Sequence, residues 1–433
     1  MNTHRTLCSL FTALACLSFA TCSTPPENKT SNVGRNQPLN LTDLIVVNYS
    51  FPESGHIQDP YRKTDGTRIP DLPFLVGSLP SYGLILESEG LIPVYRKLEI
   101  PPEQQAEMKK SLAVTSTSTI YRRGPGGYVN RFGQQVIPFQ FKSVCSFHQG
   151  RAVASTEDGE GLIDTAGNWV VPPGKYVWID YSDGPEDRWP FLKSGQWGSR
   201  DSKWGFLDSN GNEVIPPRFK YPSRGDAYTP IFSEGLAVVA DENDRFVAID
   251  LNGNIEFAFP ENAYEVRPFS NGLALVSIER DRYIVGGKYT EGGKYGFIST
   301  TGEMAIPAKY QQASDFSEGL APVSLNSEVE FRPPHHEFYP DDKWGYIDTT
   351  GKVQIPFKFT QVGKFSNGLA PVMMLGKGWG YINKAGKIVI PYQFEWADDF
   401  DHGIAKVWHG GKECFIDTSG KIIVRTENEW AIF

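Results

Sequence analysis

The chain has 433 residues, enough for one large domain or two ordinary ones, with 40% hydrophobic and 13% aromatic residues from which to build a core. Its 51 acidic against 42 basic side chains give a net charge of −9, and without any run of Lys or Arg this disfavours a nucleic-acid groove. Gly (43) and Pro (31) are abundant with no collagen-like period, a composition of many turns.

In chain order, Arg5 precedes an apolar stretch from Leu7 to Ala20, too short to span a bilayer comfortably. This is the plan of a secretory signal, assigned to residues 1–21. Cys22 stands where the apolar run ends, in "SFATCSTPPENKTSN". The segment resembles a bacterial lipoprotein signal, which implies lipidation at Cys22, with Phe19 and Thr21 in place of the commoner residues. Residues 22–39 follow as a polar tether. Residues 40–120 carry no clean repeat, although "YGLILESEGLIP" from Tyr82 looks like an eroded one, and "PPEQQAEMKKSL" is expected to form a short surface helix.

Residues 121–433 are organised by a period. With Gly345 of "KWGYIDTTGKVQIP" as register mark, equivalent glycines are Gly127, Gly161, Gly205, Gly296 and Gly380, each followed 11 residues later by a proline. Weaker copies have Ala248 and Cys414 in register. A second block follows: "FSEGLAVV" from Phe232, "FSNGLALV" from Phe269, "FSEGLAPV" from Phe316 and "FSNGLAPV" from Phe365. Uninterrupted marks recur 34 or 35 residues apart. That length also fits helical arrays, but Ile-Pro and several glycines in every unit exclude helices. "WGYID" alternates with the period of a strand, and Asp-Thr-Thr-Gly is hairpin chemistry. Each unit is expected to hold three strands, or four counting "FKFTQVGKF". Pro356 is expected to end or edge its strand, Gly345 to admit a ring or backbone, and Trp344 to seal the junction between units.

The combined pattern resembles the bacterial WG-containing (KWG) repeat family over roughly residues 121–425. The resemblance implies an all-β repeat protein and brings no catalytic residues with it. The tandem units of about 35 residues are expected to form a β-propeller-like ring, with an open β-solenoid as the alternative. The last copy stops halfway, so residues 41–51 or 121–137 are candidates to complete it. Of five cysteines, only Cys145 and Cys414 lie in the body; two buried thiols are expected, and a bridge between them is the alternative.

No nucleophile elbow, Walker loop or zinc-protease signature occurs. His335, His336, Glu337, Asp341 and Asp342 are the best metal candidates, yet adjacent histidines on an extended, proline-rich loop point apart, so a solvated loop is expected. "DYSDGPED" (180–187) lacks calcium-loop spacing and is taken as an acidic turn. Asp164, Asp208, Asp250, Asp348 and Asp417 precede the hairpins and are expected to cap them. Trp204, Trp344 and Trp379 repeat in register and are structural; Trp178, Trp189, Trp197, Trp396, Trp408 and Trp430 fall out of register, so the core is still favoured while ligand contact stays open. The functional expectation is a non-enzymatic binding or scaffold protein of the cell envelope, exported and either lipid-anchored or released. It needs no cofactor or metal, and it meets a protein or glycan through loops inserted at Lys175–Ser202 and Asn326–Asp342. A glycan-acting hydrolase with a loop-borne acidic pair is the alternative.

Overall fold

The computed structural model describes residues 119–180, 202–220, 229–278, 294–325 and 343–429 without a break, together with shorter stretches such as 87–99. Every named element among the described residues is a β-strand. One sheet shows the plan. Gln312–Ala313, Leu320–Leu325, Lys343–Asp348 and Val353–Phe359 pair in chain order, each antiparallel to the next. Gln361–Val362, Leu369–Met374, Gly378–Asn383 and Ile388–Phe394 repeat that order, as do Ser143–Val144, Arg151–Thr156, Gly159–Asp164 and Trp169–Val171. The two weak copies fold the same way. Phe246–Ile249 pairs with Ile255–Ala258, and Lys412–Asp417 and Ile422–Glu429 end a four-stranded sheet.

The register explains the glycine of each Trp-Gly pair. Trp344 lies opposite Phe359, but Tyr346 lies opposite Ile355, so the outer strand bulges across from Gly345. A Cβ on Gly345 would stand 2.6 Å from the carbonyl oxygen of Ile355. Backbone is therefore the close neighbour here, whereas at Gly205 the ring of Phe191 also crowds the site. Pro356 sits in the bulge, within its strand rather than at its end, and on the sheet's outer edge where no ladder bond is lost.

The phase of the unit differs from the sequence expectation. "FSEGLAPV" does not close the unit begun by the preceding Trp-Gly; its strand Leu320–Leu325 pairs forward with Lys343–Asp348. Likewise "FKF" finishes the fourth strand, and "QV" opens the next sheet. Antiparallel hairpins join the nearest strands in the chain, and this sets the boundary between Phe359 and Gln361. The eroded copy near Tyr82 is likewise a second-block element. Ser88 and Leu91 bridge, Glu89 has φ 55° like the third residue of the later FSxG turns, and Ile92–Glu99 pairs with Thr119–Val129. The helix expected over residues 101–112 lies, but for Glu103, outside the described residues.

Strands two and three are buried on both faces, as in "LAPVSL" and "KWGYID", while the fourth alternates buried Ile, Phe or Tyr with exposed residues. Sheets consequently stack. Ala321, Val323 and Ile347 pack on Leu275, Phe297 and Ile306 of the sheet before. Tyr346, Ile355 and Phe359 pack on Phe365, Ala370 and Ile382 of the sheet after, and half-buried Trp344 closes that same core. The chain divides into two compact units: one of Met1–Lys175 with Lys412–Phe415 and Ile422–Phe433, the other of Tyr176–Gly411 with Ile416–Lys421. Cys145 and Cys414 are both buried, and neither is in a disulfide.

Candidate functional site

The strand order gives each described four-stranded repeat sheet two unlike ends. The FSxG turn, between strands one and two, and the Asp-x-x-Gly turn, between strands three and four, leave the same end; the hairpin between strands two and three leaves the other.

The first end is short and densely hydrogen-bonded. Oδ1 of Asp348 accepts from the backbone N–H of Thr350 and of Lys352 at 2.9 and 3.1 Å, and Thr350 Oγ1 donates to it at 2.6 Å. Hydrogen bonds favour the charged carboxylate, that of Thr350 first, and hold its pKa down at about 2. Asp164, Asp208, Asp250 and Asp417 make the same two backbone bonds, so the expected capping role holds for all five. The hairpin also covers its neighbour: Gly351 (φ 81°) lies over Ile306, and Gly386 lies over Ile355, one sheet back.

The FSxG turns interlock from sheet to sheet. Ser233, Ser270 and Ser317 each donate Oγ to the carbonyl of the next turn's Phe, at 2.8, 2.8 and 2.7 Å, and Ser88 does so to Phe147. At Glu89, Glu234, Asn271, Glu318 and Asn367 the third residue of the turn, held at positive φ, accepts from the glycine N–H of the following turn. Glu234 accepts from Gly272 (2.8 Å), Asn271 from Gly319 (2.8 Å), Glu318 from Gly368 (3.2 Å) and Asn367 from Gly403 (2.9 Å). Glu186 serves Gly235, and Glu89 serves Gly150. The acidic segment 180–187 is thus structural where it is described, with Asp187 also accepting from Ser209. Sequence reading found these blocks as strands but missed the ladder. Its signal was there: Glu or Asn recurs at the one position where an acceptor is needed.

Charged residues one or two places before Phe269, Phe316 and Phe365 form a row across three sheets. Arg267 meets Glu265 at 2.7 Å and Asp315 at 3.6 Å, and Asp315 meets Lys364 at 3.0 Å. Asp399 comes next in register; its Oδ1 occupies the space a Cβ on Gly363 would take. Asp399 retains solvent access, yet burial raises its carboxyl to about 6, the charge of Asp398 adds to this, and the Lys364 N–H and ammonium oppose it.

The opposite end carries the long connections. Leu192–Trp204, Ile278–Lys294 and Leu325–Lys343 are strand-end pairs, and between them run residues 193–203, 279–293 and 326–342. In the next copy the same hairpin needs only Leu375-Gly376-Lys377. Lys175–Ser202 is therefore not one inserted loop. Trp178–Ile179 and Trp189–Leu192 are strands one and two of a sheet, and the second-block sequence is eroded there. Trp189 is buried, and half-buried Trp178 packs on the core of Trp204 and Phe206. Trp396 and Trp408 face each other across a strand pair, half-buried, with Lys406 5.6 Å from the Trp396 ring. Trp197, Trp430 and the metal candidates His335, His336, Glu337, Asp341 and Asp342 lie outside the described residues, and among those described no His, Cys, Asp and Glu group of metal-binding shape occurs. Cys22 ends Phe19–Cys22, a strand whose backbone pairs with Thr119–Val129.

Six stretches of the chain match the family model described as WG containing repeat: residues 127–159, 161–184, 204–243, 295–328, 344–377 and 379–412. These hold the six clear glycine marks, and the copies marked by Ala248 and Cys414 fall outside them. No curated protein matches the chain. Among solved structures it is similar to a eukaryotic initiation factor (12% identity, 71% of this chain and 83% of that one, TM-score 0.47). It is also similar to BamB from Moraxella catarrhalis (10%, 67% and 88%, TM-score 0.35) and to the computationally designed Ika8 protein (12%, 67% and 87%, TM-score 0.35).

Proposed function

We propose that this chain, which carries six WG containing repeats, is a non-catalytic recognition scaffold of the cell envelope that meets a protein or glycan at the end of its sheets bearing the long connections. The observation that carries this reading is the asymmetry between the two ends. At the turn end the carboxylates and amides are engaged in capping and in the sheet-to-sheet ladder. At the other end, equivalent hairpins have been lengthened at 193–203, 279–293 and 326–342 without disturbing the strand pairs that flank them. Segments that vary on a fixed frame are where recognition is usually built. The N-terminal apolar stretch and Cys22 supply the address, an exported chain tethered by lipid at Cys22.

Photo-crosslinking in cells tests the location of the face. A photoreactive residue placed in 279–293 or 326–342 is expected to trap a partner, and one placed at Thr350 or Lys384 of the turn end is not. Equal trapping from both ends would remove the basis for assigning the face.

A further inference from the structure

The FSxG ladder contains two sequences whose chemistry is a hazard. Four Asn-Gly pairs occur in the chain, at 210–211, 252–253, 271–272 and 367–368. Asn-Gly is the least hindered setting for deamidation, because glycine leaves its own nitrogen open to attack. In that reaction the glycine backbone nitrogen bonds to the asparagine Cγ and gives up its proton. The Cγ–NH2 bond breaks and ammonia leaves with that proton, giving a succinimide. Water then opens the ring to aspartate or isoaspartate. The slow step builds negative charge on the oxygen attached to Cγ and needs a glycine N–H that is free to lose its proton.

Asn210-Gly211 and Asn252-Gly253 sit in Asp-capped turns, where the glycine N–H donates to the carbonyl of Asp208 or Asp250 at 2.9 Å. The other two differ. Asn271 and Asn367 are exposed and held at φ 57° and 53°, and no carbonyl of their own turn takes the glycine N–H. That proton goes to another repeat: Gly272 N–H to Glu234 Oε2 at 2.8 Å, and Gly368 N–H to Glu318 at 3.2 Å.

We propose that Asn271 and Asn367 are latent deamidation sites held unreactive by Glu234 and Glu318 of the preceding repeat. A carboxylate acceptor retains the N–H proton through a charge-assisted bond. Its charge also opposes the anion that forms on the oxygen attached to Cγ, less so at Glu318, which is paired with Lys384 at 3.0 Å. Carboxylates also serve Gly150 and Gly235, which follow Gln149 and Glu234, so the acceptor is not confined to Asn-Gly turns, but no Asn-Gly turn of the ladder lacks one. Both Asn-Gly turns receive a carboxylate, while the amides of Asn271 and Asn367 serve Gly319 and Gly403, which follow Glu318 and His402 and carry no such hazard. Isoaspartate at either site would lengthen the backbone within the turn and break the ladder at that junction.

The test is ageing of the purified full chain at mildly alkaline pH, with peptide mass mapping of all four Asn-Gly sites over time. Glu234→Ala is expected to speed deamidation at Asn271 about tenfold, the worth of one charge-assisted hydrogen bond, and to leave Asn367 unchanged. Glu318→Ala should do the reverse. Glu234→Gln, which keeps an acceptor oxygen but no charge, should fall between. Asn210 and Asn252 report on general loosening. An unchanged rate at the facing asparagine would overturn the proposal, and so would acceleration of every site together in either variant.

Discussion

A missing side chain fixes the backbone at Gly345. The bulge opposite it brings the Ile355 carbonyl to 2.6 Å from where a Cβ would stand, and Gly380 faces Ile390 in the same way at 2.7 Å. Backbone cannot swing aside as a side chain can, so Gly345→Ala should cost about 3 kcal/mol; urea unfolding measures this, and a loss under about 1 kcal/mol would contradict the bulge. The carboxylates predict two opposite pH dependences. Asp348 has its pKa lowered to about 2 in the fold, so its contribution is present above about pH 4 and fades as pH falls toward 2. Asp399 has its pKa raised to about 6, so the folded state holds the proton more tightly, and its ionised form costs stability above that pH. Asp399→Asn should therefore unfold at higher denaturant than the parent near pH 8, with the difference gone by about pH 4. The Asp348 role was legible because spacing before a turn glycine states its chemistry. That of Asp399 was not, since its surroundings, Gly363 and Lys364, belong to another repeat.

Among elements, the ladder of FSxG turns couples neighbouring sheets through a few bonds in each junction. Ser317→Ala removes the bond to the carbonyl of Phe365, a fully buried residue. A loss of about 1 kcal/mol is expected, with hydrogen exchange at Gly368 and Leu369 rising more than elsewhere; uniform exchange across the chain would count against a local junction. Strands, turns and the edge proline were readable from alternation and turn residues. The phase of the unit was not. Spacing shows that "GLAPV" follows "IPFKF", but which Trp-Gly strand it pairs with is decided by hairpin connection, and both neighbours stand at similar sequence distance. Erosion hid the rest: at Trp178–Ile179 and Trp189–Leu192 the strand geometry persists although the FSxGLA residues are gone, so the segment looked like a loop.

At the scale of the whole chain, the sequence supplies a frame and a set of lengthened connections, to which the proposed function adds an address at the N-terminus. Six matches to the WG containing repeat cover the clear copies, and the two degenerate copies still form strands because apolar alternation survives where the signature does not. The proposed address predicts that the mature chain begins at a lipid-modified Cys22. Mass spectrometry of the chain recovered from its host should show it, and Cys22→Ser should move the protein from the membrane fraction to the soluble one; unchanged membrane association would contradict a lipid tether. The central claim is that recognition belongs to the lengthened connections and stability to the frame. The most direct test compares affinity capture from solubilised envelopes by residues 23–433 with capture by the same chain in which 326–342 is a short Gly-Ser link. Shortening a surface loop should change stability by less than about 1 kcal/mol, so both baits should unfold alike. A partner held by the full chain and lost from the trimmed one is the predicted result. A partner held equally by both, with equal stability, would contradict the claim.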